Sequence, residues 1–532
     1  MKPRSPVRIL LVLVLGLAVL VLGSGSPAVP DERGLDLERL GVAELQAKMK
    51  AGTLTSERLT KAYLDRIAAV NSRGPGLNAV RILNPDALDD AERLDRERKR
   101  GQLRGPLHGI PVLVKDNLDL EGLPTTAGSV ALERSVPRVD STVVARLRAA
   151  GAVVLGKTNL TEFANFLTNG MPSGYSSLGG QVLNPYNADL SPSGSSSGSG
   201  AAAAAGLAAV TIGTETSGSI VSPAAAQGIV GLRPTVGLVS RTGIVPISGS
   251  QDTAGPMART VADAAAELQA IAGKDPEDPA TAGQPEPLPD YLAGLSVDAL
   301  NGKRIGVTDN SNANYQAAIA AVQAAGATTV EIPTPSPAQN FPAILTQEFK
   351  RDLNAYLGRL PANAPMDTLA DIIAYNEAHP EEALKFGQTQ AIASQAVDLS
   401  DPAQRAEYET NRDGGRAATR AAIDDALSRG TADPGDDLVA IMTPSGTLTG
   451  TGARAGYPQL TVPAGYDAGN RNPVNISFNG TAYSEPVLLG LGYAYEQATA
   501  LRQPPSEINP SLWRCAETSP RSRFDRFSSC PP

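Results

Sequence analysis

The sequence predicts an α/β fold, because helical and strand-like patterns follow one another along the chain. Residues 142–150 show helical spacing of apolar side chains and end at Gly151, and the apolar run 152–155 that follows has strand character. The alanine-rich stretch 200–206 is likewise followed by a short apolar run, 208–212. Such alternation is typical of α/β architectures. With 42% hydrophobic residues, the chain of 532 residues can bury a large core.

The first segment has the layout of a secretory signal peptide. Lys2, Arg4 and Arg8 precede the apolar run 9–22, and small residues follow it as far as position 28. The run is shorter than the ~20 residues that a membrane-spanning helix needs. We therefore expect residues 1–28 to direct export and the protein to be secreted or extracytoplasmic. An uncleaved anchor, with membrane association through this segment alone, is the alternative.

Two further segments outline the main domain, which is expected to span residues 35–511. Apolar residues between Leu59 and Val70 recur on a helical stripe, with Thr55 or Ser56 as a possible N-cap. Between positions 273 and 289 the chain is rich in proline and acidic residues. This composition indicates a surface loop that links two halves of one sheet.

The C-terminal tail, residues 512–532, carries both cysteines of the chain, Cys515 and Cys530. An exported protein meets an oxidising compartment, so a disulfide between them is expected. Two unpaired thiols are the alternative, since the sequence does not show that their Cα atoms approach each other.

Charge and composition exclude several kinds of partner. The formal net charge of −9 leaves no basic patch for nucleic acid. No cluster of His, Cys and Asp has the spacing of metal ligands, so neither a metal nor another cofactor is expected. Residues 151–158 match the letters of a phosphate-binding loop, but a helix precedes them and β-branched residues fill their centre. We interpret them as a turn and a strand.

The residues that indicate chemistry are two turns rich in serine and glycine, 193–200 and 213–220. Taken alone, such a string is typical of a flexible linker, but here the helix and the strand between the two turns hold them in place. A serine nucleophile needs a base, and the chain has only two histidines, His108 and His379. Lys115 follows the apolar residues 110–114, which could bury it and keep it neutral.

Two other interpretations of these residues stay open. Lys115 could be a surface lysine paired with Asp116. Residues 194–198 also match the Gly-x-Ser-x-Gly elbow of α/β-hydrolases, which would make Ser196 the nucleophile and His379 its base.

Taken together, segments 109–117, 193–200 and 213–220 resemble the amidase signature family. Shorter motifs extend the resemblance over about residues 40 to 500: 126–129, 156–159, 162–164, 184–185, 231–235, 252–257, 456–458, 462–465 and 495–499. The resemblance implies a central mixed β-sheet covered by helices on both faces. It also implies a Ser, Ser, Lys triad of Ser219 as nucleophile, Ser195 as bridging serine after a cis peptide bond from Gly194, and Lys115 as base.

The resemblance further implies hydrolysis of a carboxamide to carboxylate and ammonia through an acyl-enzyme on Ser219. Backbone N–H groups around Thr216, Ser217 and Gly218 would form the oxyanion hole, although Ser217 stands where many relatives have glycine. Segment 237–248 resembles the peptide-amidase branch, which acts on C-terminal carboxamides of peptides. The partner would then be a small-molecule or peptide amide.

Two alternatives from other functional classes remain. The chain could be the glutaminyl-type subunit of a tRNA amidotransferase, which shares the same signature, or a non-catalytic secreted binding protein. The segments expected to line a substrate pocket, 341–400 and 443–454, carry no motif that distinguishes these possibilities.

Overall fold

The computed structural model describes residues 35–429, 435, 437–469 and 471–517. The proposed signal peptide and Cys530 lie outside this range, and the side chains of residues 514–517, including Cys515, are not described.

An eleven-stranded mixed sheet forms the centre of the described chain, in the order β1-β3-β2-β6-β8-β7-β12-β13-β11-β9-β10. Strands β3, β2 and β6 are parallel, as are β11, β9 and β10, and the pairs between these two groups are antiparallel. A separate two-stranded ribbon pairs β4 with β5. The strands are β1 Val80–Leu83, β2 Pro111–Lys115, β3 Val153–Thr158, β4 Tyr175–Ser176, β5 Gly180–Gln181, β6 Val210–Glu215, β7 Val230–Arg233, β8 Thr253–Ala258, β9 Arg304–Thr308, β10 Thr328–Ile332, β11 Ala440–Pro444, β12 Gln459–Tyr466 and β13 Pro473–Asn479.

Helices cover both faces of this sheet, which confirms the α/β fold expected from the sequence. Every residue of β2, β3, β6 and β8 is buried, as is typical of strands covered on both sides. The helices are α1 Val42–Lys50, α2 Ser56–Val70, α3 Ala87–Lys99, α4 Thr142–Ala149, α5 Ser197–Ala204, α6 Val221–Ala226, α7 Val261–Ile271, α8 Ala313–Ala324, α9 Leu345–Leu357, α10 Leu369–Ala378, α11 Pro380–Ala383, α12 Thr389–Gln395, α13 Pro402–Ser428, α14 Thr449–Ala455, α15 Glu485–Thr499, α16 Pro505–Ile508 and α17 Pro510–Glu517.

Helix α5 shows why the first serine turn is followed by such small residues. All eight of its residues are buried. A Cβ atom added to Gly198 would lie 2.3 Å from the carbonyl oxygen of Asn159 and 2.4 Å from that of Ala79. Only a helix without bulky side chains can approach the sheet so closely, and this approach carries the first serine turn into the interior.

The acidic and proline-rich segment 273–289, expected to be a surface loop, packs closely against the rest of the chain. Asp278 is buried and forms an ion pair with Arg241 at 2.6 Å. Asp275 accepts hydrogen bonds from the hydroxyl groups of Ser240 and Thr142. These carboxylates fix the segment against the chain that precedes β8, so that it forms part of a cavity wall.

The C-terminal helix α17 crosses the boundary expected at residue 512. Leu512 and Trp513 are buried in the main core, and the indole Nε1–H of Trp513 donates to the carbonyl oxygen of Pro185 at 3.2 Å. The packed domain therefore continues at least to Trp513. Within the described residues, none of the helices has the length and apolar character needed to span a membrane.

We predict that Gly156→Ala destabilises the sheet. Gly156 lies in β3 with φ +146, and a Cβ atom there would lie 2.2 Å from the carbonyl oxygen of Ile82 on the neighbouring strand. Gly105 has the same φ, but a Cβ atom there would meet no atom within 4 Å, so Gly105→Ala is the matched control. Thermal unfolding should show Gly156→Ala to be less stable than the control by roughly 2 kcal/mol or more. Equal melting temperatures would contradict this packing account.

Candidate active site

Lys115 is the last residue of β2, and its side chain is fully buried. Its Nζ lies 2.8 Å from Ser195 Oγ, 2.9 Å from Thr214 Oγ1 and 3.3 Å from the Thr214 carbonyl oxygen. Among the described residues it forms no ion pair with a carboxylate. Asp116 pairs instead with Lys157, at 2.8 Å, and with Arg81. The interpretation of Lys115 as a surface lysine paired with Asp116 is therefore wrong.

Burial lowers the pKa of Lys115 to about 7, while the carboxylates of Asp252 and Glu215 act in the opposite direction. Removing a charged ammonium from water is costly, and none of the described carboxylates offsets this cost by direct contact. A substantial fraction of Lys115 is therefore neutral near pH 7. Such an amine is able to accept a proton.

The contacts of Lys115 fit a neutral amine, which has two N–H donors and one lone pair. The two N–H groups can donate to Thr214, one to its carbonyl and one to its hydroxyl oxygen. Thr214 Oγ1 also accepts a hydrogen bond from Asn117 Nδ2 at 3.0 Å. As an ammonium, Lys115 would donate to Ser195 Oγ as well; in the neutral form the lone pair is left for the Ser195 hydroxyl, whose O–H would then donate to it across the same 2.8 Å.

Ser195 is fully buried and follows a cis peptide bond from Gly194. Its carbonyl oxygen accepts a hydrogen bond from the backbone N–H of Thr161 at 3.1 Å. A Cβ atom at position 194 would lie 2.5 Å from Thr161 Oγ1, so the turn requires glycine there. The first turn therefore holds the Ser195 hydroxyl against Lys115.

Ser219 lies in the second turn, between β6 and α6, and keeps a small exposed fraction of 8%. Its carbonyl oxygen accepts a hydrogen bond from the backbone N–H of Ser196 at 3.1 Å. This bond joins the second turn to the first next to Ser195. The structure thus places the side chains of Lys115 and Ser195 in direct contact, and it joins the backbone of Ser219 to the residue that follows Ser195.

The residues of the alternative histidine-based site do not come together. The Ser196 hydroxyl is buried and is bonded to the backbone of Thr214. The His379 ring bonds to the carbonyl oxygen of Tyr375, and His108 Nε2 lies 3.0 Å from that of Leu94. Neither ring contacts a described serine. The α/β-hydrolase interpretation is therefore wrong.

The turn from Glu215 to Ser219, which we call the oxyanion turn, is held in place by hydrogen bonds of the Glu215, Thr216 and Asp252 side chains. The Glu215 carboxylate accepts hydrogen bonds from the backbone N–H groups of Ile220 at 2.7 Å and Val221 at 3.0 Å. The Thr216 hydroxyl donates to Asp252. The N–H groups of Thr216, Ser217 and Gly218 donate to no other described residue. Three adjacent donors are therefore available to an anionic oxygen.

Two local features shape this turn. Gly218 has φ +85, a conformation that favours glycine, and a Cβ atom there would lie 3.0 Å from Ser222 Oγ. Ser217, the next residue along the turn towards its N-terminus, is exposed. Its side chain therefore points to solvent and does not fill the turn.

A cavity of about 400 Å³ reaches this cluster at Thr214, Glu215 and Thr216. Lys115, Ser195 and Ser219 are not among the residues that line it. Asn117, Thr214, Thr216 and Asp252 form part of its polar wall, and the mainly apolar segment 244–247 forms another part together with Ala164, Ala355 and Tyr356. Charged residues also line the cavity, in two ion pairs, Arg241 with Asp278 and Arg359 with Glu277.

Only part of this lining could be expected from the sequence. Segment 341–400 contributes Asp352, Ala355, Tyr356 and Arg359, whereas none of the described residues in 443–454 lines the cavity.

Several functional candidates have no role in the sequence-based prediction. Thr214 and Glu215 lie inside the second serine turn, and Asp252 and Arg233 lie inside motifs noted only for their resemblance. The motifs indicate that these residues belong to the site, but only the folded chain shows which atoms the side chains contact. Among the described residues, no three His, Cys, Asp or Glu side chains are grouped so that they could hold a metal ion.

Comparisons with known proteins identify the family to which this chain belongs. The family model described as Amidase matches residues 58–489. A probable amidase of Arabidopsis thaliana is 38% identical over 513 residues, which cover 94% of this chain and 97% of that protein. A subunit of the glutamyl-tRNA(Gln) amidotransferase of Synechococcus is 36% identical over 490 residues, covering 86% and 97% of the two chains.

Among solved structures, the native peptide amidase of Stenotrophomonas maltophilia is 48% identical and has a TM-score of 0.82, covering 88% of this chain and 98% of its own. The match to the family model and the similarity to relatives over nearly their whole length show that this chain belongs to the amidase family and is a hydrolase that acts on amide C–N bonds.

Proposed function

We propose that this amidase converts a primary carboxamide to a carboxylate and ammonia through an acyl-enzyme on Ser219. The observation that carries the proposal is the fully buried Lys115 amine, which has no carboxylate partner among the described residues and lies 2.8 Å from Ser195 Oγ. A neutral lysine in this position can draw a proton through Ser195 from the nucleophile.

In the acylation half of the proposed reaction, Ser219 Oγ attacks the amide carbonyl carbon. Its proton passes to Ser195 Oγ as the Ser195 proton passes to Lys115 Nζ. The carbonyl oxygen becomes an oxyanion, which the N–H groups of the oxyanion turn stabilise. Ser195 then donates its proton to the leaving nitrogen and recovers one from Lys115, so that ammonia departs and Ser219 is acylated.

Deacylation repeats the same proton path with water as the nucleophile. Water adds to the ester carbonyl while its proton passes through Ser195 to Lys115, and the returning proton restores the Ser219 hydroxyl. The products are a carboxylate and the free enzyme. All the groups in this cycle belong to the chain or the substrate, apart from that water.

We further propose that the acyl part of the substrate is a peptide, and that the bond cleaved is its C-terminal carboxamide. Two observations support this class. The peptide amidase of Stenotrophomonas maltophilia is 48% identical over most of both chains. In addition, residues 244–247, which line the cavity, belong to segment 237–248, whose sequence resembles that branch. A panel of peptide, short aliphatic and aryl amides tests the class, with fastest turnover expected for peptide amides.

The similarity to an amidotransferase subunit supports a second candidate function, in which ammonia is passed to a partner. Ammonia release by the purified chain alone separates the candidates. The proposed hydrolase releases ammonia from a peptide amide without partners, whereas an amidotransferase subunit depends on them and a binding protein releases none.

We also propose that residues 1–28 direct export, on the basis of their charged, apolar and small-residue segments. The intact mass of protein recovered outside the cytoplasm should show an N-terminus near residue 29.

The disulfide is tested on the same sample. Alkylation without a reductant should leave Cys515 and Cys530 unmodified if they are paired. For the intact-mass measurement, recovery of the full-length chain from the cytoplasm alone would contradict the proposed export.

We predict that Ser219→Ala lowers amide turnover by roughly 10⁴- to 10⁶-fold, because it removes the nucleophile. Ser195→Ala should retain more activity, since a water molecule could relay the proton to Lys115. Ser222→Ala, on the helix that follows, is the matched control and should stay within a few-fold of wild type. A Ser219→Ala variant with more than about a tenth of wild-type activity would show that the nucleophile is elsewhere.

We predict that Lys115→Arg is inactive, because arginine stays protonated in proteins and cannot serve as a base. Lys115→Ala should be inactive as well. His108→Ala and His379→Ala are controls that should keep wild-type turnover. If Lys115→Arg were active and one of the histidine variants inactive, the base would be that histidine and not Lys115.

The pH dependence follows from the same assignment. Because the neutral form of Lys115 is the active one and its pKa is lowered to about 7, kcat/KM should rise with pH through this value. A rate that is constant from pH 6 to 8, measured under conditions where the chemical step limits turnover, would contradict the assignment.

A further inference from the structure

Arg233, the last residue of β7, lies fully buried behind the oxyanion turn. One terminal nitrogen, Nη1, donates to the carbonyl oxygens of Glu215 at 3.1 Å and Thr216 at 3.3 Å. The other, Nη2, donates to the carbonyl oxygen of Gln251 at 2.7 Å. One guanidinium group therefore holds two consecutive peptide units of the turn and anchors them to the chain before β8. The Thr216 carbonyl oxygen also accepts a longer hydrogen bond from Gln251 Nε2, at 3.4 Å.

These two carbonyl bonds also fix the direction of two N–H groups. The carbonyl oxygen and the N–H of one trans peptide unit point in opposite directions. The Glu215 carbonyl shares its peptide unit with the Thr216 N–H, and the Thr216 carbonyl shares its unit with the Ser217 N–H. Since both carbonyls point toward Arg233, both N–H groups point away from it, and neither donates to another described residue.

We propose that Arg233 is a positioning residue for the proposed oxyanion hole: it binds the carbonyl side of the oxyanion turn so that the N–H groups of Thr216 and Ser217 converge on the oxygen that becomes negative in the reaction. This inference rests on the proposed acyl-enzyme mechanism. The planar guanidinium suits this role because its donors lie in a fixed fork, whereas a lysine ammonium is a compact charge that cannot span the same three carbonyls.

Charged neighbours keep Arg233 in place. Its Nη1 lies 3.4 Å from Glu215 Oε1, and the second oxygen of that carboxylate accepts the N–H groups of Ile220 and Val221. Thr216 is tied separately through its hydroxyl to Asp252. Arg233, Glu215 and Asp252 thus hold the carbonyl groups and the two ends of the turn. The N–H groups of Thr216, Ser217 and Gly218 make no bond to the described residues.

Arg259 provides a matched control in the same sheet. It follows β8 and is also buried, and its guanidinium donates to three carbonyl oxygens, those of Ala203, Ala208 and Leu40. None of these three carbonyls belongs to the oxyanion turn. Arg259→Lys should therefore cost stability in the same way as Arg233→Lys without disturbing the oxyanion turn.

The experiment compares Arg233→Lys with Arg259→Lys below the melting temperature of both, using a primary amide that the wild type hydrolyses. Arg233→Lys should lower kcat by about 10²-fold, comparable to the loss of one oxyanion donor, with KM within about threefold of wild type. Arg259→Lys should keep the wild-type kcat. A residue that only stabilises the fold would lower the melting temperature and leave kcat of the folded enzyme unchanged.

A second readout compares two inhibitors that share one acyl group. A peptide aldehyde forms a hemiacetal with the serine and places an oxygen in the oxyanion hole, whereas the corresponding alcohol cannot. Arg233→Lys should weaken binding of the aldehyde by about the factor by which it lowers kcat. It should leave the affinity for the alcohol unchanged. If Arg233→Lys is not recovered in a folded state, Arg233→Gln takes its place in both measurements.

Three results would overturn the inference: wild-type kcat in the folded Arg233 variant, equal weakening of the aldehyde and the alcohol, or failure of both Arg233 variants to fold while Arg259→Lys folds. Failure of the proposed acyl-enzyme mechanism looks different, because Ser219→Ala would then keep its amide turnover.

Discussion

The proposed chemistry of this molecule depends on the burial of one amine that none of the described carboxylates contacts. Lys115 and Lys157 lie at the ends of neighbouring parallel strands and are both fully buried. Lys157 has Asp116 as an ion-pair partner, whereas the described partners of Lys115 are the hydroxyl and carbonyl oxygens of Ser195 and Thr214. Burial lowers the pKa of both lysines, but at Lys157 the contact with Asp116 opposes this effect directly, whereas no described carboxylate contacts Lys115.

The rest of the fold creates this environment and places the other groups around it. Fully buried strands surround Lys115, and the small residues of α5 allow the first serine turn to approach the sheet closely enough to reach it. The second serine turn leaves β6, the strand next to β2, and the carbonyl oxygen of its nucleophile candidate, Ser219, accepts a hydrogen bond from the first turn at Ser196. Side chains of Glu215, Asp252 and Arg233 fix the outer side of that turn and leave its N–H groups available.

Much of this could be predicted from the sequence because the informative residues are local. Helix and strand alternation predicted the α/β class, and the serine turns and Lys115 suggested the site before any contact was known. The roles of Thr214 and Arg233 could not be predicted, because they arise from contacts across strands and turns. The docking of segment 273–289 also depends on distant partners such as Arg241, and composition alone indicated a surface loop.

The proposed mechanism requires Lys115 to be neutral near working pH, and the most direct test is the titration of Lys115 itself. In enzyme labelled with ¹³C-lysine, the Cε resonance of Lys115 is identified by its loss in Lys115→Arg and is followed as a function of pH. We expect a titration with a pKa of about 7. A resonance that titrates near the ordinary lysine value of ~10.4 would show that Lys115 stays charged at neutral pH, and would contradict its role as the base.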